Sequence, residues 1–253
     1  MQQLRFANSH PRSHFGSGEY RQSADGVDGV MELGGWSVGP GGAPAVGALG
    51  VFADEVLGYA LMASMPPGGW SISTEIWIDV LAPLPAPGTA LTGCAQARRP
   101  GAFSTGELRD PRGRVVALCR QRGRATSAPG SEHHVALDGI VDAQGIEALL
   151  GLETDGTAYL LHARPHLLNP LAMLHGGVSL AASEVAASRS RAAQGCELPT
   201  TSVHIVHSRG VPLGGVLELS AETRHAGRTL WVTEVIGRVG GRTCTVATIT
   251  AQT

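Results

Sequence analysis

Aromatic side chains are scarce in this 253-residue chain: Phe, Trp and Tyr together make up 4%. The core must therefore be built largely from aliphatic residues and closely packed elements, which the 35 glycines permit. A strong charge of either sign is also missing. The formal net charge of −2 gives no support for nucleic-acid binding through the whole surface. Cysteines are few and unpaired in sequence: Cys94, Cys119, Cys196 and Cys244 include no Cys-x-x-Cys. They read as small buried hydrophobes in a reducing compartment, not as a disulfide frame or a zinc site. No uninterrupted apolar run approaches the length of a membrane span, and the longest, within Val46–Met65, carries Asp54 and Glu55. The N-terminal stretch MQQLRFANSHPRSHF is polar and basic without an apolar signal core, so cytoplasmic residence is expected.

What the chain does contain is enough apolar residue for a sizeable core, 43% hydrophobic against 16% charged, at a length that suits one large domain or two ordinary ones. It also contains itself twice. An apolar helical run (Gly47–Met65) ends at Pro66-Pro67-Gly68-Gly69, and the alternating strand Ser73–Pro83 follows. A second apolar run (Gly176–Ala193) ends near Gly195 and Pro199, and the strand Ser202–Pro212 follows. The helix carboxylates Asp54 and Glu184 lie 130 residues apart, and the strand serines and prolines 129 apart. Later strands repeat too: Leu91–Arg98, Gly101–Arg109 and Arg114–Gln121 match Leu217–Arg224, Gly227–Ile236 and Arg242–Thr250. Short turns join them, and Val30–Val38 and Ala158–Ala163 supply a strand before each helix. This is the grammar of an antiparallel meander around one long helix, duplicated. The expected boundaries are an N-terminal tail or strap at 1–25, a first domain at 26–128 and a second at 129–253, with the linker near Ser127–His133. Each open sheet would leave edges, so edge-to-edge pairing of the copies is expected.

Chemistry concentrates in Asn169-Pro-Leu-Ala-Met-Leu-His175-Gly176-Gly177, with Glu184 following inside an alanine-rich run. The glycines allow close backbone approach, and the helix they open points unpaired N–H groups outward. A carboxylate beside such donors suits acyl transfer: the amide stabilises an oxyanion while the acid activates water. His204 and His207 are three apart in a strand and face opposite sides, and His133-His134 has no accompanying ligand set, so no metal is expected.

These features resemble the hotdog fold, and the second copy is similar to the PaaI-like group of acyl-CoA thioesterases through Asn169, His175-Gly176-Gly177, Glu184, Ser188 and Ser202–Pro212. The resemblance implies an α+β chain of two tandem hotdog domains paired within one polypeptide. It implies sites built across the pairing, with the acid from one helix and a small polar residue from the partner's strand. Carried over, one site joins Asn169, His175, Gly176, Gly177, Glu184 and Ser188 with Ser73. The other joins Asp54 with Ser202, where Gly39, Ala45 and Val46 replace the amide, histidine and first glycine. One competent and one degenerate site are therefore expected. Glu184 would be the base or nucleophile, Ser188 a water holder and His175 an orienting group. The implied substrate is a fatty or aromatic acyl-CoA, with coenzyme A entering only as part of it and no separate cofactor. Arg98, Arg99, Arg224 and Arg228 at the repeated turns are candidates for its phosphates. Tyr59, Met62, Trp70 and Trp77 are read as core filling, with roomy acyl-chain walls the alternative. Neither a nucleic-acid nor a membrane partner is expected, and association of chains into homo-oligomers is compatible with the fold. Two rivals stay open. An enoyl-thioester hydratase on the same scaffold would pair an aspartate with a histidine five residues later, and no Asp-x4-His occurs. A binding protein without turnover is the other.

Overall fold

The computed structural model describes residues 2–3, 10–23, 26–127 and 143–253. Two long helices, α2 (Gly50–Ala63) and α4 (Gly176–Ala193), are wrapped by one antiparallel sheet. Flanking the first helix are β1 (Gln2–Gln3), α1 (His10–His14), β2 (Ser17–Gln22), β3 (Val27–Leu33), β4 (Gly69–Val80), β5 (Thr89–Arg99), β6 (Phe103–Arg109) and β7 (Val115–Ser127). Around the second lie α3 (Ile146–Leu150), β8 (Glu153–Thr154), β9 (Tyr159–His162), β10 (Thr200–His207), β11 (Val216–Ala226), β12 (Leu230–Val239) and β13 (Arg242–Gln252). Among the described residues the thirteen strands run in the order β1-β2-β3-β5-β6-β7-β4-β10-β13-β12-β11-β9-β8. The duplication is visible there: β3-β5-β6-β7-β4 meets β9-β11-β12-β13-β10 head to head, which is a double hotdog.

The seam is the β4–β10 ladder, where Ile76 pairs with Ile205 and Ile78 with Val203. All four side chains are fully buried. Period-two alternation turns them toward the helices and leaves Trp77 and His204 stacked on the outer face, with ring centroids 4.2 Å apart. The hinge of the whole arrangement is glycine. α2 and α4 run antiparallel, and their first turns cross so closely that a Cβ on Gly177 would strike the Gly50 carbonyl and stand 2.6 Å from Val51 Cα. Likewise a Cβ on Gly47 would lie 2.9 Å from Ala181 Cα. Only glycine permits that approach. α2 is apolar nearly all round because sheet and partner helix cover it: every residue from Gly50 to Met62 is buried. The stretch Val46–Ala63 is long and apolar enough to cross a membrane, and here it is the enclosed core helix.

Several expectations change in detail. The first helix begins at Gly50, after a 3-10 turn over Val46–Leu49. Residues from the expected tail join the sheet: β2 pairs with β3, and Phe15 and Tyr20 enter the core. Of the cysteines only Cys119 and Cys244 are buried, because Cys94 and Cys196 sit half-exposed; all four are free thiols. The expected linker, apart from its start at Ser127, and His133-His134 lie outside the described residues.

Candidate active site

A cavity of about 410 Å³ opens at the seam, between α2, the loop that enters α4, and the facing ends of β4 and β10. Its acid is Asp54, supplied by the helix of the first unit. Asp54 Oδ2 accepts the Gly177 N–H at 2.8 Å, and Oδ1 accepts from Gln121 Nε2 at 3.2 Å. The Ser73 hydroxyl and His207 lie beside the same carboxylate. Gly176 completes the ring: a Cβ there would stand 2.6 Å from Ser73 Oγ and 2.7 Å from Asp54 Oδ2. Its N–H is one of the orphan donors at the helix start, and no acceptor among the described residues takes it.

Electrostatics follow from burial. Desolvation pushes the Asp54 carboxyl above its ordinary range, an effect opposed by His207, the Gly177 amide and Ser73. Burial drives His207 the other way, favouring the neutral ring against the pull of Asp54. His175 is also held below its ordinary value by burial, against the nearby Glu55 charge. Its Nδ1 accepts the Gly177 N–H at 3.1 Å and so caps α4. That nitrogen lies 3.2 Å from Asp54 Oδ2. The Gly177 N–H points between these two acceptors, and burial favours the neutral imidazole beside them.

Asn169, half-buried at the cavity wall, is occupied with the loop. Its Oδ1 accepts from Leu171 N at 2.9 Å and Met173 N at 3.2 Å, which fixes the turn into the His-Gly-Gly segment. It shapes the site, and its amide oxygen is already used.

The acid expected from the sequence is elsewhere. Glu184 is buried but does not line the cavity. Its Oε2 accepts from Gly47 N at 3.2 Å, and its Oε1 from Ser188 at 2.8 Å and Thr200 at 2.7 Å. Arg191 lies close enough to feel its charge. The reason is helix geometry: eight residues at 1.5 Å each carry Glu184 about 12 Å from the start of its own helix. The antiparallel partner presents its own acid there instead, so the acids are exchanged, Asp54 to Gly177 and Glu184 to Gly47. Ser188 therefore serves Glu184 and not a catalytic water. Ser202 does not meet Asp54; β-ladder register places it against Asp79, whose Oδ1 accepts its hydroxyl at 2.8 Å. Ser73 is where it was expected, with Asn169, His175 and Gly176, but facing Asp54. The pseudo-equivalent site departs from the first by more than its loop. The strand repeat puts Ile78 where the first site has His207, and Ala247 opposite Ile205 where Gln121 stands opposite Ile76.

Arg98, Arg99, Arg224 and Arg228 do not line the cavity. Arg98 bonds Thr105 and Arg224 pairs with Glu222 and Glu234. The cations at the cavity rim are Arg124 and Arg209, both exposed. Tyr59, Met62 and Trp70 are cavity walls as well as packing, whereas Trp77 stacks on the outer face. Gln121 and His207 were missed, and period two could have found them. Ala117 and Cys119 point inward, so Gln121 must too; Val203 and Ile205 point inward, so His207 must follow.

Residues 171–246 match the family model described as the thioesterase superfamily. Comparison with curated proteins found no match. Among solved structures, the tesB protein of Mycobacterium avium subsp. paratuberculosis aligns with a TM-score of 0.65 at 11% identity, covering 96% of this chain and 98% of that one. The 12:0-ACP thioesterase of Umbellularia californica aligns at 0.60 and 12%, covering 89% and 94%. A MaoC-like dehydratase aligns at 0.59 and 13%, covering 96% and 99%. At these identities the likeness is one of fold, and it spans a thioesterase and a dehydratase alike. The chain has the hotdog fold, and its second unit carries, over residues 171–246, the sequence pattern of the thioesterase superfamily.

Proposed function

We propose that the protein hydrolyses acyl-CoA thioesters to free acid and coenzyme A at the Asp54–Gly176 site. One observation carries the reading: a buried carboxylate from one helix is held against the N-terminal amides of the other, at the wall of a cavity large enough for an acyl group. The thioester oxygen would rest on the Gly176 N–H, where the positive end of α4 favours negative charge. Asp54 would take a proton from water as that water adds to the carbonyl carbon. The tetrahedral oxyanion formed on the amide then collapses, the C–S bond breaks, and the proton passes to the departing thiolate. Gln121 and Ser73 keep the carboxylate oriented, and the neutral His175 and His207 raise no competing charge beside the oxyanion. Arg124 and Arg209 at the rim would meet the phosphates of coenzyme A. Following free thiol release from a panel of acyl-CoAs tests the reading, and a protein that cleaves none of them overturns it. Hydration of an enoyl-CoA without thiol release would point to the rival chemistry that the fold also supports.

A further inference from the structure

α2 forms the floor of the cavity, and one of its residues is kept there at a cost to the helix. The cavity meets α2 at Asp54, Glu55, Gly58, Tyr59 and Met62, all buried, and its lining on this helix stops at Met62. Positions 54, 58 and 62 are four apart, so they stack along one face. Glu55 is tied to β2, its Oε2 accepting from Tyr20 Oη at 2.6 Å and Ser17 Oγ at 2.9 Å. Gly58 is the odd member. Glycine inside a helix is less stable than alanine, and one found there has a packing or a functional reason. Gly47, Gly50 and Gly177 have the packing reason, because the helices cross on them. Gly58 does not: among the described residues its Cβ would meet only Gln121, 3.6 Å from Nε2 and 3.9 Å from Oε1. Those are ordinary contacts. The space beside Gly58 borders the cavity, one helical turn from the catalytic acid.

Depth sorts the occupants of the cavity. On the floor, Tyr59 and Met62 keep 5% and 7% of their surface open, so a ligand can touch them. Around the mouth Trp70, Ile72, Leu171 and Met173 are half-exposed, and Arg124 and Arg209 are exposed. A phosphate-bearing carrier belongs with the arginines, and an uncharged chain belongs on the floor, where burial of apolar surface is favourable. From Asp54 to Met62 is eight residues, a rise of about 12 Å. An extended hydrocarbon built from bonds of about 1.5 Å advances about 1.3 Å per carbon, so about nine carbons span the floor. Resting on the thioesterase reading above, we infer that the acyl chain lies along α2 over Gly58. Gly58 and Met62 thereby select straight acyl groups of about eight to ten carbons.

The test measures kcat/KM for straight-chain acyl-CoAs from butanoyl to hexadecanoyl, in the parent, Gly58→Ala and Gly58→Leu. In the parent kcat/KM should climb about fourfold per methylene, the worth of burying one, and stop climbing near decanoyl. A series that peaks at butanoyl, or still climbs at hexadecanoyl, overturns the inference while leaving the hydrolase reading intact. Gly58→Leu should lower decanoyl relative to butanoyl turnover by about tenfold or more, as occluding a hydrophobic pocket does. Gly58→Ala should shift the preference the same way by less, and should melt about 2 °C above the parent because alanine suits a helix better. A lower Tm in Gly58→Ala shows that packing needs the glycine and overturns the premise. An equal loss at every length shows the new side chain acting through Gln121 or on the carrier's arm, and refutes the assignment; so does an unchanged preference in both variants. Should no thioester be cleaved, the hydrolase reading fails by itself, and calorimetry with S-alkyl coenzyme A thioethers of the same lengths tests the floor. Affinity that peaks near the decyl thioether, with the peak lost in Gly58→Leu, supports the inference, and affinity independent of length refutes it.

Discussion

Exchanging the two helix acids for their amides, one at a time, separates the site from its degenerate counterpart. Asp54→Asn removes the only carboxylate at the wall that also holds the Gly177 amide. General-base steps contribute about 10²–10⁴-fold, so kcat for thiol release should fall by that factor, equivalent to about 3–5 kcal/mol of barrier. The same change should stabilise the fold. Burial raises the Asp54 pKa, so the native state holds its proton to higher pH than the unfolded chain does. Between those two pKa values stability falls as pH rises, and above both the ionised carboxylate is a net cost. An amide avoids it, and Gln121, whose Oε1 is unpartnered, can turn its own amide to accept the new N–H. A gain of about 1 kcal/mol, within the usual range for single stabilising changes, corresponds to about 2 °C in Tm for a chain of this length. Glu184→Gln should do the opposite: near-parental turnover, and a loss of about 1–3 kcal/mol from the broken Ser188, Thr200 and Gly47 network around Arg191. Steady-state thiol release and thermal unfolding on the same samples read both quantities. An active Asp54→Asn beside a folded but inactive Glu184→Gln would refute the assignment of the site.

Gly176→Ala should cut kcat at least a hundredfold with little change in Tm, since its methyl meets Ser73 and Asp54 side chains; Gly177→Ala, which strikes the Gly50 backbone, should cost about 1–3 kcal/mol of stability, checked by urea unfolding. Removing Arg124 and Arg209 together should raise KM for coenzyme A thioesters while sparing kcat, with a gap that narrows as salt is added. The pH–rate profile should lose activity on the acid side above the ordinary aspartate value of 3.8, as Asp54 takes up its proton. Stability should also decline as pH drops below 6.5, because desolvation lowers the pKa of buried His175 and half-buried His207, so the unfolded chain binds their protons first.

Much of the architecture was legible because duplication prints each element twice. The helix starting at Gly176 and the strands following Ser73 and Ser202 could be checked against their copies. The cavity was half legible: the loop from Asn169 to Gly177 and Ser73 are where the pattern put them. The acid was misplaced because nearness in sequence was taken for nearness in space, although a straight helix cannot bring its third turn back to its own first amide. Which of two equivalent acids serves the loop depends on the helix crossing, and that crossing is set by Gly47, Gly50 and Gly177 meeting backbone to backbone. Glycines announce that close approach is allowed without naming the partner. Glu55 was equally hidden, since its hydroxyl partners come from a strand in what read as a tail.

Reciprocity between the helices leaves each unit dependent on the other for a different thing. The first gives its acid to a loop that carries Asn169 and His175; the second gives its own to Gly47, in a loop that lacks counterparts of both. The second unit thus carries both a loop and an acid. Two of them clasped as these units are would lay each Glu184 against the other's Gly177, with Ala247 where the fused chain has Gln121.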